Sequence, residues 1–224
     1  MIKASIVITA YNSAAFIERS LQSALTQQFP KSDYEIVVID DGSTDETPQI
    51  LARFGNAIRV IRQANRGFVG AANAGFRAAV GTYVTKLDSD DAFGPDLLRE
   101  TTDVLDANPE IDFVYSDYEE RMGDVTRVVS TENIFSSIAI GMMYRRERLA
   151  AEGCYREGLK FPEYDLLLRT LGRWKGFRIP KPLFTYIRRP ESVTKETGWQ
   201  EDALRELRAL YPEHRDLIAK IRKY

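Results

Sequence analysis

The chain has a single cysteine, Cys154, and a single histidine, His214, in 224 residues. A lone thiol makes no internal disulfide and cannot build a cysteine-rich zinc site. Cys154 therefore reads as a small buried hydrophobe. One histidine removes every mechanism that needs two, the H-E-x-x-H metalloprotease pattern included. A basic excess is also missing: 31 Lys and Arg stand against 33 Asp and Glu, a formal net charge of -2. Nucleic-acid-binding domains usually carry a strong positive balance, so no nucleic-acid partner is expected. No apolar run reaches the ~20 residues that span a bilayer. The opening Met1-Ile2-Lys3-Ala4-Ser5-Ile6 lacks the basic, apolar, then small-residue layout of a secretory signal. The expected compartment is the cytoplasm. Glycine-rich phosphate loops are absent as well. No G-x-G-x-x-G follows the first apolar run, and no G-x-x-x-x-G-K-[ST] occurs, which argues against a dinucleotide oxidoreductase and a P-loop phosphotransferase.

What is present is a regular alternation. Ser5 to Thr9 is a β-branched run, and Phe16, Ile17, Leu21, Ala24 and Leu25 follow at the spacing of one buried helix face. Ile36-Val37-Val38-Ile39 is continuously apolar, as a strand covered on both faces should be. Thr44-Asp45-Glu46-Thr47-Pro48 opens a helix. Further strands are predicted at Ile58 to Ile61, Thr82 to Leu87 and Ile111 to Tyr115, with helices at Gly70 to Ala79 and Pro95 to Leu105. Strand and helix alternating over short links predict a mostly parallel, Rossmann-like central sheet with helices on both faces. After about Glu119 the pattern loosens. Ile134 to Tyr144 reads as irregular structure and strand, Arg145 to Ala151 and Glu163 to Leu171 as helices, Leu183 to Ile187 as a late strand, and Glu201 onward as one or two helices. The expected organisation is one α/β domain over 1–224: a nucleotide-binding half (1–118), an acceptor half (119–200) and C-terminal helices (201–224).

In parallel sheets ligands bind outside the carboxyl ends of the strands. Four strand ends here carry polar clusters: Thr9-Ala10-Tyr11-Asn12, Asp40-Asp41-Gly42-Ser43, Asn65-Arg66-Gly67 and Asp88-Ser89-Asp90-Asp91. The last is the densest. Three carboxylates in four residues repel one another unless a cation neutralises them, and hard ions such as Mg²⁺ or Mn²⁺ prefer oxygen ligands shared with substrate phosphates. A solvated acidic turn ahead of the next helix is the competing explanation.

Together these pieces resemble glycosyltransferase family 2, whose fold is called GT-A. The matching stretches are Ser5 to Asn12, Val37 to Asp45, Asn65-Arg66-Gly67, Ala72-Asn73-Ala74-Gly75, and Leu87 to Asp91 with Pro95 beyond. They cover roughly the first hundred residues; the second half matches more loosely. The resemblance implies an inverting transferase that moves a sugar from a UDP-, GDP- or dTDP-linked donor to a saccharide or lipid-linked acceptor, with Mn²⁺ or Mg²⁺. Thr9, Ala10 and Tyr11 would line the base and ribose, and Asp41, with Asp40 beside it, would hydrogen-bond the base. Asn65, Arg66 and Gly67 would lie along the nucleotide and diphosphate. Asp88 would face the ribose and the metal's water shell, with Ser89 next to it, and Asp90 would ligate the metal directly. Tyr11 is alternatively a core-edge aromatic, and Asn73 either a nucleotide contact or a helix surface residue. Gly75 and Gly81 read as packing and turn glycines.

Two departures from the family pattern fall in the second half. The base-bearing helix reads Pro162-Glu163-Tyr164-Asp165-Leu166-Leu167-Leu168-Arg169, with Glu163 where the family usually has its Asp base. Residues two apart on a helix face different sides, and Asp165 has Arg169 four residues on as a partner. Glu163 is therefore the expected base rather than Asp165, or else only a helix cap. Beyond the late strand, in Tyr186 to Thr194, Arg189 stands where the family often has a metal-binding His. A guanidinium cannot ligate a metal but can grip a diphosphate; a surface loop is the other explanation. Two other functions remain open: a silent nucleotide-sugar-binding protein and, less favoured, a sugar nucleotidyltransferase. The C-terminal Leu217, Ile218 and Ile221, ringed by Arg215, Lys220, Arg222 and Lys223, form an amphipathic helix. It either docks on the protein's own core or makes weak peripheral contact with the inner face of a membrane.

Overall fold

The computed structural model describes residues 1–136, 141–189 and 198–221. The predicted alternation is there: β1 (Ala4–Ala10), α1 (Ile17–Leu25), β2 (Tyr34–Asp40), α2 (Thr47–Ala52), β3 (Arg59–Arg62), α3 (Gly67–Ala78) and β4 (Tyr83–Asp88). A two-residue β5 (Ala92–Phe93) and α4 (Leu97–Ala107) follow. The second half holds β6 (Phe113–Met122), β7 (Val125–Val129), β8 (Met143–Arg145), α5 (Arg146–Ala151), α6 (Pro162–Arg169), β9 (Gly176–Ile187), α7 (Trp199–Leu210) and α8 (Arg215–Ile218). All strands join one sheet in the order β3-β2-β1-β4-β8-β6-β9-β5, with β7 paired to β6 off that path. The β3-β2-β1-β4 block is parallel throughout, and β6 runs parallel to β9 over its length. The short β8, β5 and the β7 hairpin supply the antiparallel pairs. Most paired residues are thus parallel.

Strand periodicity sends alternate side chains of β1 to opposite faces. Ala4, Ile6, Ile8 and Ala10 pack with Ile17, Leu21 and Ala24 of α1 and Leu97, Leu98 and Leu105 of α4. Val7 packs on the other face with Val69, Ala72 and Phe76 of α3 and, further along, Leu166 to Leu168 of α6. Helices therefore cover both faces, as the apolar run in β2 requires. Helix α3 lies close on the sheet because Gly75 lacks a side chain: a Cβ there would sit 2.2 Å from Val7 Cγ1.

Two expectations are corrected. The pattern does not loosen at Glu119, because β6 continues to Met122 and turns back into β7; that strand is exposed and carries no apolar alternation. Strand β9 begins at Gly176 rather than at Leu183. Its early half holds Pro180 and Pro182, and the register against β6 shifts around Asp117, where Pro182 is the partner. A bulge accommodates residues that cannot donate to a ladder. The apolar side of the last helix is spent on the protein itself: Ile218 and Ile221 are buried in the same core cluster as Leu204 and Leu207 of α7. Arg222 and Lys223, and the stretch from Pro190 to Thr194 beyond Arg189, lie outside the described residues. Finally, Cys154 is buried as expected, though it adopts a left-handed φ of 59°, and burial pushes its thiol pKa up.

Candidate functional site

The carboxyl ends of β1, β2 and β4 lie side by side, because Ala10 pairs with Asp40 and Thr9 with Asp88. Parallel neighbours in register bring three of the four polar clusters to one edge, and β3 adds the loop that carries the fourth. Thr9 and Ala10 are buried at the rim, and Tyr11 is 51% exposed above them. The Tyr11 side chain is thus open to solvent rather than packed in the core.

Two of the expected nucleotide contacts are committed to the scaffold. Asp40 is buried; its Oδ1 accepts from Ser43 N at 2.9 Å and its Oδ2 lies 3.5 Å from Arg62 Nε. It holds the turn in which Gly42 takes a φ of +81°. Asp41 Oδ1 accepts from Gln63 Nε2 at 2.7 Å and from Arg66 N at 2.9 Å. Asp41 thereby pins the Asn65-Arg66-Gly67 loop against the end of β2 and keeps its second oxygen. Asn65 Oδ1 accepts from Gly67 N at 3.0 Å and caps the entry to α3, and Arg66, exposed, reaches Glu157 at 3.3 Å. The helix-surface reading of Asn73 is corrected, because its side chain is turned into the protein. It is buried, donates through Nδ2 to Tyr155 O at 2.8 Å and accepts from Tyr155 N at 2.9 Å. Both ends of its amide are used in tying α3 to the segment after α5.

The acidic cluster is neutralised from within the chain. Asp88 Oδ1 accepts from Lys86 Nζ at 2.6 Å. Asp90 Oδ2 accepts from Arg189 Nε at 3.1 Å, and Arg189 Nη2 lies closer still. The Arg189 guanidinium also sits 3.9 Å over the Phe16 ring, a cation–π contact. Ser89 Oγ lies 2.9 Å from Ser13 Oγ. Asp91 is buried and accepts from Ile187 N at 2.9 Å; burial, then Asp90 and Asp88, hold its pKa well above the usual carboxylate range. Arg189 thus faces the acidic cluster and is not a free surface residue. Asp88 and Asp90 each keep one oxygen without a hydrogen bond among the described residues. Among those residues no group of three or more His, Cys, Asp or Glu could hold an ion by itself. Two open carboxylates at the sheet edge fit a hard divalent ion that fills its shell with diphosphate oxygens and water, and do not fit a self-contained protein cage.

The first turn of α6 brings Glu163 to this edge, with Oε1 3.7 Å from Lys86 Nζ. Burial raises its pKa, Lys86 opposes that, and Asp88 adds to it. The helix N-terminus does not hold the group in the ordinary glutamate range, and the cation near it comes from β4 rather than from its own helix. Asp165, two residues on, is 0% exposed and faces away. Its Oδ1 accepts from Tyr211 OH at 2.6 Å and lies 3.0 Å from Arg156 Nη1; its Oδ2 lies 3.2 Å from Arg169 Nε. Burial, together with Asp165, pushes the Tyr211 phenol up to about 12. Both Asp165 oxygens thus face partners from the chain itself. Lys86 was legible only as a strand residue, because a single Lys within an apolar run gives no sign of which carboxylates meet it.

Among known proteins, the family model described as "Glycosyl transferase family 2" matches residues 5–159. An uncharacterised glycosyltransferase of Haemophilus influenzae is 29% identical over 92% of this chain and 76% of its own length. Three further relatives match over part of the chain, which spans only 37%, 29% and 21% of their lengths. The Staphylococcus aureus TarS 1-349 crystal structure in complex with UDP-GlcNAc superposes with a TM-score of 0.79 at 22% identity, over 95% of this chain and 66% of that one. The mannosyltransferase PcManGT of Pyrobaculum calidifontis, in complex with GDP-Man and Mn²⁺, gives 0.69 at 20% identity, over 97% and 68%. The sheet shares the GT-A arrangement of these enzymes, and with a family match over most of its length the chain belongs to glycosyltransferase family 2.

Proposed function

We propose that the chain transfers a glycosyl group from a nucleoside diphosphate sugar to an acceptor hydroxyl, inverting the anomeric centre. The observation that carries this is the meeting of two carboxylates at one sheet edge, Glu163 at 3.7 Å and Asp88 at 2.6 Å from the Lys86 ammonium, with Asp90 two residues beyond Asp88. Tyr11 and the Asn65-Arg66-Gly67 loop, at the ends of β1 and β3, would hold the nucleoside. Asp41, already committed to that loop through one oxygen, would offer the other to a base N–H. Asp90 and Asp88 would hold a divalent ion, Mn²⁺ or Mg²⁺. When bound, such an ion supplies Lewis-acid stabilisation of the leaving diphosphate, worth several kcal/mol. Arg189, once released from Asp90, would donate to the same diphosphate. In the single displacement the acceptor oxygen bonds to the anomeric carbon as the carbon–phosphate-oxygen bond breaks. The acceptor proton passes to the Glu163 carboxylate. Asp165 takes no part, because its oxygens are held by Tyr211, Arg156 and Arg169.

The test is release of nucleoside diphosphate from UDP-GlcNAc, UDP-glucose, GDP-mannose and dTDP-glucose, with donor saturating and Mn²⁺ present. Glu163→Gln is expected to lower turnover by about 10²–10⁴-fold while nucleotide affinity stays near wild type. Turnover should also fall as pH drops through the Glu163 pKa, at a point above the ordinary glutamate range, because burial raises it. Near-normal turnover of Glu163→Gln overturns the base assignment. Tight nucleotide binding by a wild-type chain that releases no product from any donor would favour the alternative, a binding protein without turnover. The Arg189–Asp90 pair is the observation on that side.

A further inference from the structure

Strand β4 is central in the sheet and covered on both faces, and Val84, Thr85 and Leu87 are fully buried. Lys86 interrupts that run with a side chain only 8% exposed. By strand periodicity it points to the same side as Val84 and Asp88. An ammonium in such a place costs several kcal/mol of desolvation, and replacing a buried ion pair with apolar side chains is often neutral or stabilising. Packing alone therefore gives no reason for a lysine here. Its position does. The ammonium donates to Asp88 Oδ1 at 2.6 Å and lies 3.7 Å from Glu163 Oε1. The first contact is a short charge-assisted hydrogen bond; the second is too long for one and acts as an attraction between charges.

We propose that Lys86 is a positioning residue for the transfer, a fixed cation anchored on Asp88 that aims the Glu163 carboxylate at the acceptor. This rests on the assignment of Glu163 as the base. The asymmetry of the two contacts suits the task. A full hydrogen bond to Glu163 would occupy an oxygen that must take the acceptor proton, whereas an attraction at 3.7 Å orients the carboxylate and leaves its lone pairs free. The same ammonium lies between the Asp88 carboxylate of its own strand and the Glu163 carboxylate of α6, and so links the group assigned to the metal with the group assigned to the acceptor.

The experiment is a double-mutant cycle of Lys86→Met and Glu163→Gln, read as kcat and KM for release of nucleoside diphosphate from whichever of the four sugar nucleotides wild type turns over fastest. Methionine keeps the length of the stem and removes the charge. Lys86→Met is expected to lower kcat by about 10–100-fold, the size of effect that misplacing a catalytic group by an ångström produces, with donor KM within about threefold of wild type. In the Glu163→Gln background the same substitution should cost less than about twofold, because residues acting as a unit are not additive. Equal losses in both backgrounds, a loss confined to KM, or near-normal kcat in Lys86→Met overturns the inference. A Glu163→Gln enzyme with normal turnover instead overturns the base assignment, and this inference falls with it. If Lys86→Met does not fold, Lys86→Arg takes its place in the cycle: kcat lowered with KM unchanged, and no added loss in Glu163→Gln, supports the role, while equal losses overturn it.

Discussion

Replacing Asp165 with asparagine separates stability from catalysis on a helix where two carboxylates compete for the base role. The side chain is 0% exposed and faces three partners. Asparagine keeps a carbonyl for the Tyr211 hydroxyl, now 2.6 Å from Oδ1. It places an NH₂ where Oδ2 lies 3.2 Å from Arg169 Nε, so two donors face each other. Breaking a buried ion pair from one side costs about 3–5 kcal/mol. That range is too high here for two reasons. The Arg156 side chain is 46% exposed, and an exposed ion pair contributes at most about 1 kcal/mol. Arg169, 15% exposed, also donates to the carbonyls of Glu152 and Cys154 and so is not stranded. The expected loss is about 2–3 kcal/mol, which at about 2–4 °C per kcal/mol for a chain of this size lowers Tm by roughly 4–12 °C. Thermal unfolding followed by circular dichroism measures this, and calorimetry below the transition should give unchanged nucleotide affinity. An Asp165→Asn protein that melts with wild type but has lost turnover would refute the reasoning and return the base role to Asp165.

Three further outcomes are expected. Mn²⁺ should tighten UDP or GDP binding to wild type and EDTA should abolish the gain, whereas Asp90→Ala should bind equally in both conditions; equal affinity of wild type and variant with and without EDTA sinks the metal assignment. Asn73→Ala should lose about 2–4 kcal/mol, since it strands the buried N–H and C=O of Tyr155. Its nucleotide affinity should hold within about twofold, and a loss of affinity at unchanged Tm would show that Asn73 touches the nucleotide after all. Wild type mixed with anionic vesicles should show no lipid-dependent pelleting, because Ile218 and Ile221 are buried in the core; pelleting would mean that this face is released to lipid.

Periodicity alone revealed the β1 to β4 block, its parallel order and the helices on both faces. Apolar spacing is a local property, and a strand–helix–strand link has few ways to close. The same logic placed the polar clusters on one edge, since each follows its strand directly. It also separated Glu163 from Asp165, because residues two apart on a helix point to different sides and Arg169 lies one turn beyond Asp165. The second half was harder to read. β7 is an exposed edge strand with no buried side to impose alternation, and the prolines of β9 hide its first half behind a bulge.

Individual side-chain partners were beyond local pattern. Nothing near Asn73 in the chain announces Tyr155, 82 residues away. Nothing near Asp90 announces Arg189, 99 residues away, and Lys86 in its apolar strand gives no hint of Glu163. The amino-acid order by itself determined the β1 to β4 block, its polar edge and the residue types gathered there, because those follow from short-range spacing and covalent connectivity. Which carboxylate keeps an unbonded oxygen, which is locked in the scaffold and which cation lies beside each was decided only by tertiary structure, because charge pairing depends on distances between segments that come together only when the cores on both faces of the sheet close.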